Sequence, residues 1–169
     1  SELCKIYSGY SWNDKVVVID NRFISERVNQ LRKWNMEFVH GDILDKDLIK
    51  KYCHDADIVH HLAGVTDVPR TKSESSLDRD EKIRLVGEKG TENILNTINK
   101  NCKIIFPSTH VVYEGINEVR TDINEEELPK PILSYSTSKA INEKQLKDSG
   151  KNYIILRLGS VYGYSSDTM

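Results

Sequence analysis

The sequence predicts an α/β domain built on a doubly wound parallel sheet, and three observations predict it. Short runs rich in Val and Ile alternate with longer polar stretches of helical period, the pattern of β-α units around a parallel sheet. One of these runs, VVVID, ends on an acidic residue, Asp20. Tyr135 and Lys139 lie four residues apart on a predicted helix, downstream of an apolar run that ends at Ser108 and Thr109.

Strands are predicted at 16–19, 37–40, 57–62, 103–107 and 153–158, each a short β-branched or apolar run. Helices are predicted at about 1–9, 24–34, 46–53, 78–100 and 134–149. The last opens with Ser134 as its N-cap and stops at Gly150, a residue suited to the position just past a helix end. Residues 67–80 are polar, carry Pro69 and read as a loop; residues 114–131 form a second loop whose acidic run, Glu125 to Glu127, is a solvated surface. No repeat, low-complexity tract or linker divides the chain.

Composition narrows the class. With 169 residues the chain makes one domain with a real core, and 24 basic against 26 acidic residues give a net charge of −2, without the basic excess of a nucleic-acid surface. Apolar runs are far shorter than the roughly 20 residues that span a bilayer. The odd, widely spaced Cys4, Cys53 and Cys102 contain no C-x-x-C and read as reduced thiols of a cytoplasmic protein. His60 and His61 are strand neighbours that point to opposite faces, so they do not share a metal, and no metal site is expected.

The Tyr135/Lys139 spacing carries chemistry. Residues at i and i+4 share a helix face, and a cation beside a phenol favours phenolate. A group that ordinarily titrates near 10 then serves as a general base or acid closer to neutrality.

In order the chain carries VVVIDN, HGDILD, DIVHHLAGV, KGTENIL, KIIFPSTHVVY, the Tyr135/Lys139 pair and YIILRLGSVYG. This series resembles the nucleotide-binding half of an extended short-chain dehydrogenase/reductase of the NAD-dependent sugar-nucleotide epimerase/dehydratase family, over almost the whole chain. The resemblance implies a Rossmann-type sheet of order 3-2-1-4-5-6, opened by a strand and a Gly-rich turn about 20 residues before the acidic residue. Counting back from Asp20 passes the start of the chain, so SELCKIYSGYSWNDK resembles the body of the first helix. Residues 1–169 are therefore expected to be a partial NAD-binding domain, without the first strand, the Gly-rich loop and a C-terminal substrate domain. The strands at 16–19 and 57–62 would be left with open edges.

The resemblance assigns cofactor contacts to Asp20, Asn21, Asp42, Ile43, Leu62, Ala63, Gly64 and Ser108, with Tyr135 and Lys139. Asp20 would accept the adenosine ribose hydroxyls and repel a 2′-phosphate, which favours NAD over NADP; Arg22, two residues on, qualifies that preference. Asp42 and Ile43 would meet the adenine, and the small residues at 62–64 would let the backbone approach the cofactor. The catalytic set is Tyr135, Lys139 and Thr109, with Thr109 holding the reacting sugar oxygen. Dehydratases of the family place an Asp-Glu pair after this threonine; here His110 and Val111 follow. Valine moves no proton, so epimerase and ketoreductase readings remain, beside a non-catalytic module that senses redox state through bound NAD. Three positions depart from the family pattern: Gly87 stands where relatives often place an asparagine that holds the cofactor, Glu114 replaces the usual glycine after V-Y, and Ser160 replaces an asparagine that touches the nucleotide sugar. Arg157 reads as structural. A nucleotide-sugar substrate and a homodimer packed through the Tyr-bearing helix complete the expectation.

Overall fold

The computed structural model describes residues 2–9, 15–65 and 71–163. In chain order the elements are α1 (Glu2–Gly9), β1 (Val17–Asp20), α2 (Ser25–Lys33), β2 (Glu37–His40), α3 (Lys46–Cys53), β3 (Ile58–His60), α4 (Leu77–Arg84), α5 (Gly90–Thr97), β4 (Lys103–Thr109), α6 (Ser134–Asp148) and β5 (Asn152–Leu158). All three strand pairings are parallel: β1 lies on β2, β3 on β4 and β4 on β5. Among the described residues no strand joins β1 to β3, so two sheets stand in place of one.

The core lies against β4. Ile104, Phe106 and Ser108 alternate inward along this strand, and the first two join Ile94, Ile98 and Leu146 in the main apolar cluster. Alternation of period two is what one covered face requires. The amphipathic α3 adds Ile49 and Cys53 to the same cluster; it is started by Asp45, whose carboxylate accepts the amides of Asp47 and Leu48 at 3.1 and 3.0 Å. α6 ends where the chain turns at Gly150 with φ of +64°. No helix among the described residues is long and apolar enough to cross a membrane.

Three local expectations need correction. The strand predicted at 57–62 stops at His60, because the Leu62 amide turns back onto the His60 carbonyl at 3.0 Å and leaves the ladder. The helix predicted at 78–100 runs from Leu77 to Thr97 and widens into one π turn at Leu85–Lys89. There, Asn142 and Gln145 of α6 donate to the carbonyls of Gly87 and Glu88, both at 3.1 Å, so side chains from outside insert into the helix ladder. Finally, Ser134 is the first residue of α6 and not its cap; Leu133 holds that position and offers no side-chain acceptor.

Candidate active site

Parallel strands all end on one side, and ligands of open α/β sheets gather there. At the carboxyl ends of β3, β4 and β5 lies a cleft of about 290 Å³, lined by Leu62, Gly64, Pro107, Thr109, Tyr135, Lys139 and Gly159 among others. Strand β4 delivers Thr109 at its last position and α6 delivers Tyr135 and Lys139 from its first turns. The three residues predicted as catalytic are thus brought together, from segments 26 or more positions apart in sequence.

The electrostatics differ from the expectation. The Lys139 ammonium donates to the Pro107 carbonyl at 2.8 Å, lies 4.4 Å from the centre of the Phe106 ring, and sits 5.9 Å from that of Tyr135. Burial lowers its pKa to about 8, against an opposing pull from Glu143. Burial likewise pushes the Tyr135 phenol up, not down. With the ammonium turned to a carbonyl, the half-buried phenol lacks the adjacent charge that would favour its anion.

Beneath the cleft is a polar cluster that the sequence reading missed. Glu143, 1% exposed, accepts the Ser108 hydroxyl at 2.6 Å and pairs with Arg157 of β5 at 2.6 Å. Arg157 also reaches the Tyr113 hydroxyl and donates to the Glu125 carbonyl at 2.9 Å. Burial raises the Glu143 pKa, but the hydrogen bonds from Arg157 and Ser108 outweigh it and leave the carboxyl below the ordinary range. Glu143 follows Lys139 by four residues, so helical spacing alone would have placed it on the same face. Ser108 commits its hydroxyl proton to this cluster, so toward a cofactor its side chain could only accept a hydrogen bond. Arg157 is structural, as expected.

Several of the residues expected to meet a cofactor lie at the ends of β1 and β2. Asp20 is exposed at the end of β1 and accepts the Arg22 amide at 2.8 Å. Asn21 donates to Asp42 at 3.1 Å, and the Asp42 carboxylate also accepts the Leu44 amide at 2.9 Å. Ile43 is turned into the core against Gly90. Leu62, Ala63 and Gly64 form an exposed stretch beyond β3, and a Cβ added at Gly64 would meet nothing within 4 Å. Carboxylates for hydroxyl and amine donors, and an exposed backbone stretch whose Leu62 and Gly64 line the cleft with Lys139, suit a dinucleotide.

The histidines are structural. His61 is buried, hydrogen-bonded to Thr91 at 2.8 Å, and burial together with Lys139 lowers its pKa to about 3. His60 faces the other layer and pairs with Tyr7 of α1 at 2.8 Å. His110 ties the chain after β4 to the Leu158 carbonyl at 3.2 Å. No group of metal-ligating side chains occurs among the described residues. Gly87 and Glu114 also have structural reasons: a Cβ on Gly87 would come within 2.3 Å of the Ser138 hydroxyl, and Glu114 receives the start of α6. Ser160 lies just beyond β5 and is exposed.

Known proteins resemble this chain over most of its length. A family profile described as the NAD dependent epimerase/dehydratase family matches residues 3–169. A Methanocaldococcus jannaschii protein with a provisional assignment as UDP-glucose 4-epimerase is 32% identical over 163 residues, covering 92% of this chain and 50% of its own. The CDP-paratose 2-epimerase of Salmonella typhi is 33% identical over 154 residues, covering 76% and 44%. The crystal structure of UDP-glucose 4-epimerase from Brucella ovis in complex with NAD superposes with a TM-score of 0.71 at 28% identity, over 91% of this chain and 46% of that one. The chain spans about half the length of the curated relatives it matches. From its parallel strands, its cleft and this match, the chain belongs to the NAD dependent epimerase/dehydratase family, among the extended short-chain dehydrogenases/reductases.

Proposed function

We propose that this chain is the nucleotide-binding part of an NAD-dependent epimerase of a nucleotide sugar, with Tyr135, Lys139 and Thr109 as its catalytic residues. The observation that carries the proposal is their convergence on one cleft at the carboxyl ends of β3–β5. The relatives named above, named as epimerases of UDP- and CDP-sugars, support it. The chemistry supplied by NAD, when held there, would be reversible hydride transfer with the sugar. Asp20, Asn21 and Asp42 would hold the adenosine end, with Leu62, Ala63 and Gly64 beside the cleft. Thr109 would fix the reacting sugar oxygen. Tyr135 would exchange the proton of that oxygen, and Lys139 would favour the phenolate once its ammonium turns from the Pro107 carbonyl toward the phenol. Two of the departures from the family pattern, Gly87 and Glu114, are accounted for by their contacts with α6. A cytoplasmic homodimer joined through α4–α5 and α6 belongs to the same reading, and sedimentation of the whole protein checks its assembly.

The test is Lys139→Ala in the whole protein, assayed by proton NMR against a panel of UDP- and CDP-sugars. Epimerisation is expected to vanish while the wild type turns over without consuming added cofactor. Substantial residual turnover in the variant contradicts the proposal, and stoichiometric NADH consumption by the wild type favours a ketoreductase instead.

A further inference from the structure

We infer that Glu114 is a positioning residue for Tyr135: one of its carboxylate oxygens fixes where the helix that carries the phenol begins. This rests on the function proposed above. A helix start leaves backbone donors without intrahelical partners, and the cap of α6, Leu133, supplies no side-chain acceptor. Glu114 supplies it from a distant segment. Its Oε1 accepts the Ile132 and Leu133 amides, both at 2.7 Å, and also the Ser136 hydroxyl. In a capping box a glutamate at the third helical position reaches back to the cap amide; here that third residue is Ser136, and a glutamate twenty-two positions upstream does the work. Tyr135 stands between Leu133 and Ser136, so the chain on both sides of the phenol is anchored to one oxygen.

Glu114 is itself held. Its amide donates to Val111 at 3.1 Å, and the backbone pairs Gly115–Lys130 and Lys130–Val112, both at 2.8 Å, fasten its segment to the approach of α6. A Cβ on Gly115 would lie 2.4 Å from the Lys130 carbonyl, so the close pairing requires glycine there. The same short segment begins at Thr109, whose hydroxyl accepts the Val111 amide at 3.3 Å. Glu114 therefore links the two catalytic segments, Thr109 on one side and Tyr135 on the other, and sets their spacing. Burial raises its pKa, but the hydrogen bonds from Ser136, Leu133 and Ile132 outweigh it and hold the carboxyl below the ordinary range. It is thus an anion at neutral pH, the sign that a helix N-terminus favours.

The experiment compares Glu114→Ala and Glu114→Gln with wild type in the whole protein, with kcat and KM for the nucleotide sugar expressed per NAD-loaded molecule. Misplacing a catalytic group by about 1 Å costs on the order of 10²-fold. Glu114→Ala is expected to lower kcat about 10- to 100-fold with little change in KM, and Glu114→Gln, which retains the accepting oxygen, to recover most of it. An unchanged kcat in Glu114→Ala overturns the inference, as does a loss that follows only the fraction of loaded protein. If Glu114→Ala does not fold, Ser136→Ala is read the same way: a fall in kcat at constant KM supports the inference and an unchanged kcat overturns it. Wild-type epimerisation in the same assay separates the two claims. Without it the proposed function fails; with it and an unaltered variant, only the role of Glu114 does.

Discussion

Lys139 illustrates what burial does to a single residue. Its ordinary pKa is brought down to about 8 by the protein around it, with Glu143 opposing. The group is charged below that value and neutral above it, so an activity that needs the cation is expected to fall as pH rises through about 8. A pH profile of kcat/KM for the whole protein checks this, and a profile flat to pH 10 contradicts it. The identities of Tyr135, Lys139 and Thr109 were legible because their spacing is local and their position at a strand end or helix start follows from the pattern. Their electrostatics were not. The partner of Lys139 is a carbonyl 32 positions away, at Pro107, and the rise in the Tyr135 pKa comes from burial, which only the folded chain sets. Ile43, expected to meet the adenine, has its side chain packed against Gly90 and the core.

At the scale of elements, α6 is held from three sides. Arg157 of β5 pairs with its Glu143, and removing one member of a buried pair leaves an uncompensated charge at about 3–5 kcal/mol. Arg157→Met is expected to destabilise the protein by about that amount in urea unfolding. The double variant Arg157→Met/Glu143→Leu should be much closer to wild type, since apolar replacement of both partners is often near neutral. The π turn gives a second test. Gly87→Ala places a Cβ 2.3 Å from the Ser138 hydroxyl and is expected to cost about 1–3 kcal/mol, with much of that recovered in Gly87→Ala/Ser138→Ala. Glu114 and Glu143 are both held below the ordinary carboxylate range. The stability they contribute is present above the unfolded pKa of about 4.3 and lost as pH falls through their lowered values, so acid unfolding should shift to higher pH when either is replaced by glutamine. Element type and order were readable from period. The π turn and the true cap of α6 were not, because both arise from contacts between segments far apart in sequence.

At the scale of the whole molecule, the strands among the described residues pair in two ladders, β1 with β2 and β3 to β5. A two-stranded ladder alone is marginal, while β4 carries the buried Ile104 and Phe106. In this 169-residue chain, amides of Val17–Asp20 are expected to exchange hydrogen markedly faster than those of β4, as measured by NMR; equal protection would contradict the division. The cleft at the carboxyl ends of β3 to β5 carries the functional claim. The most direct test is to incubate the whole protein, without added cofactor, with UDP- and CDP-sugars and follow the configuration of the sugar ring by proton NMR, for wild type and Tyr135→Phe. The account expects inversion at one ring carbon by the wild type and none by the variant; a variant that inverts the sugar at the wild-type rate would contradict it.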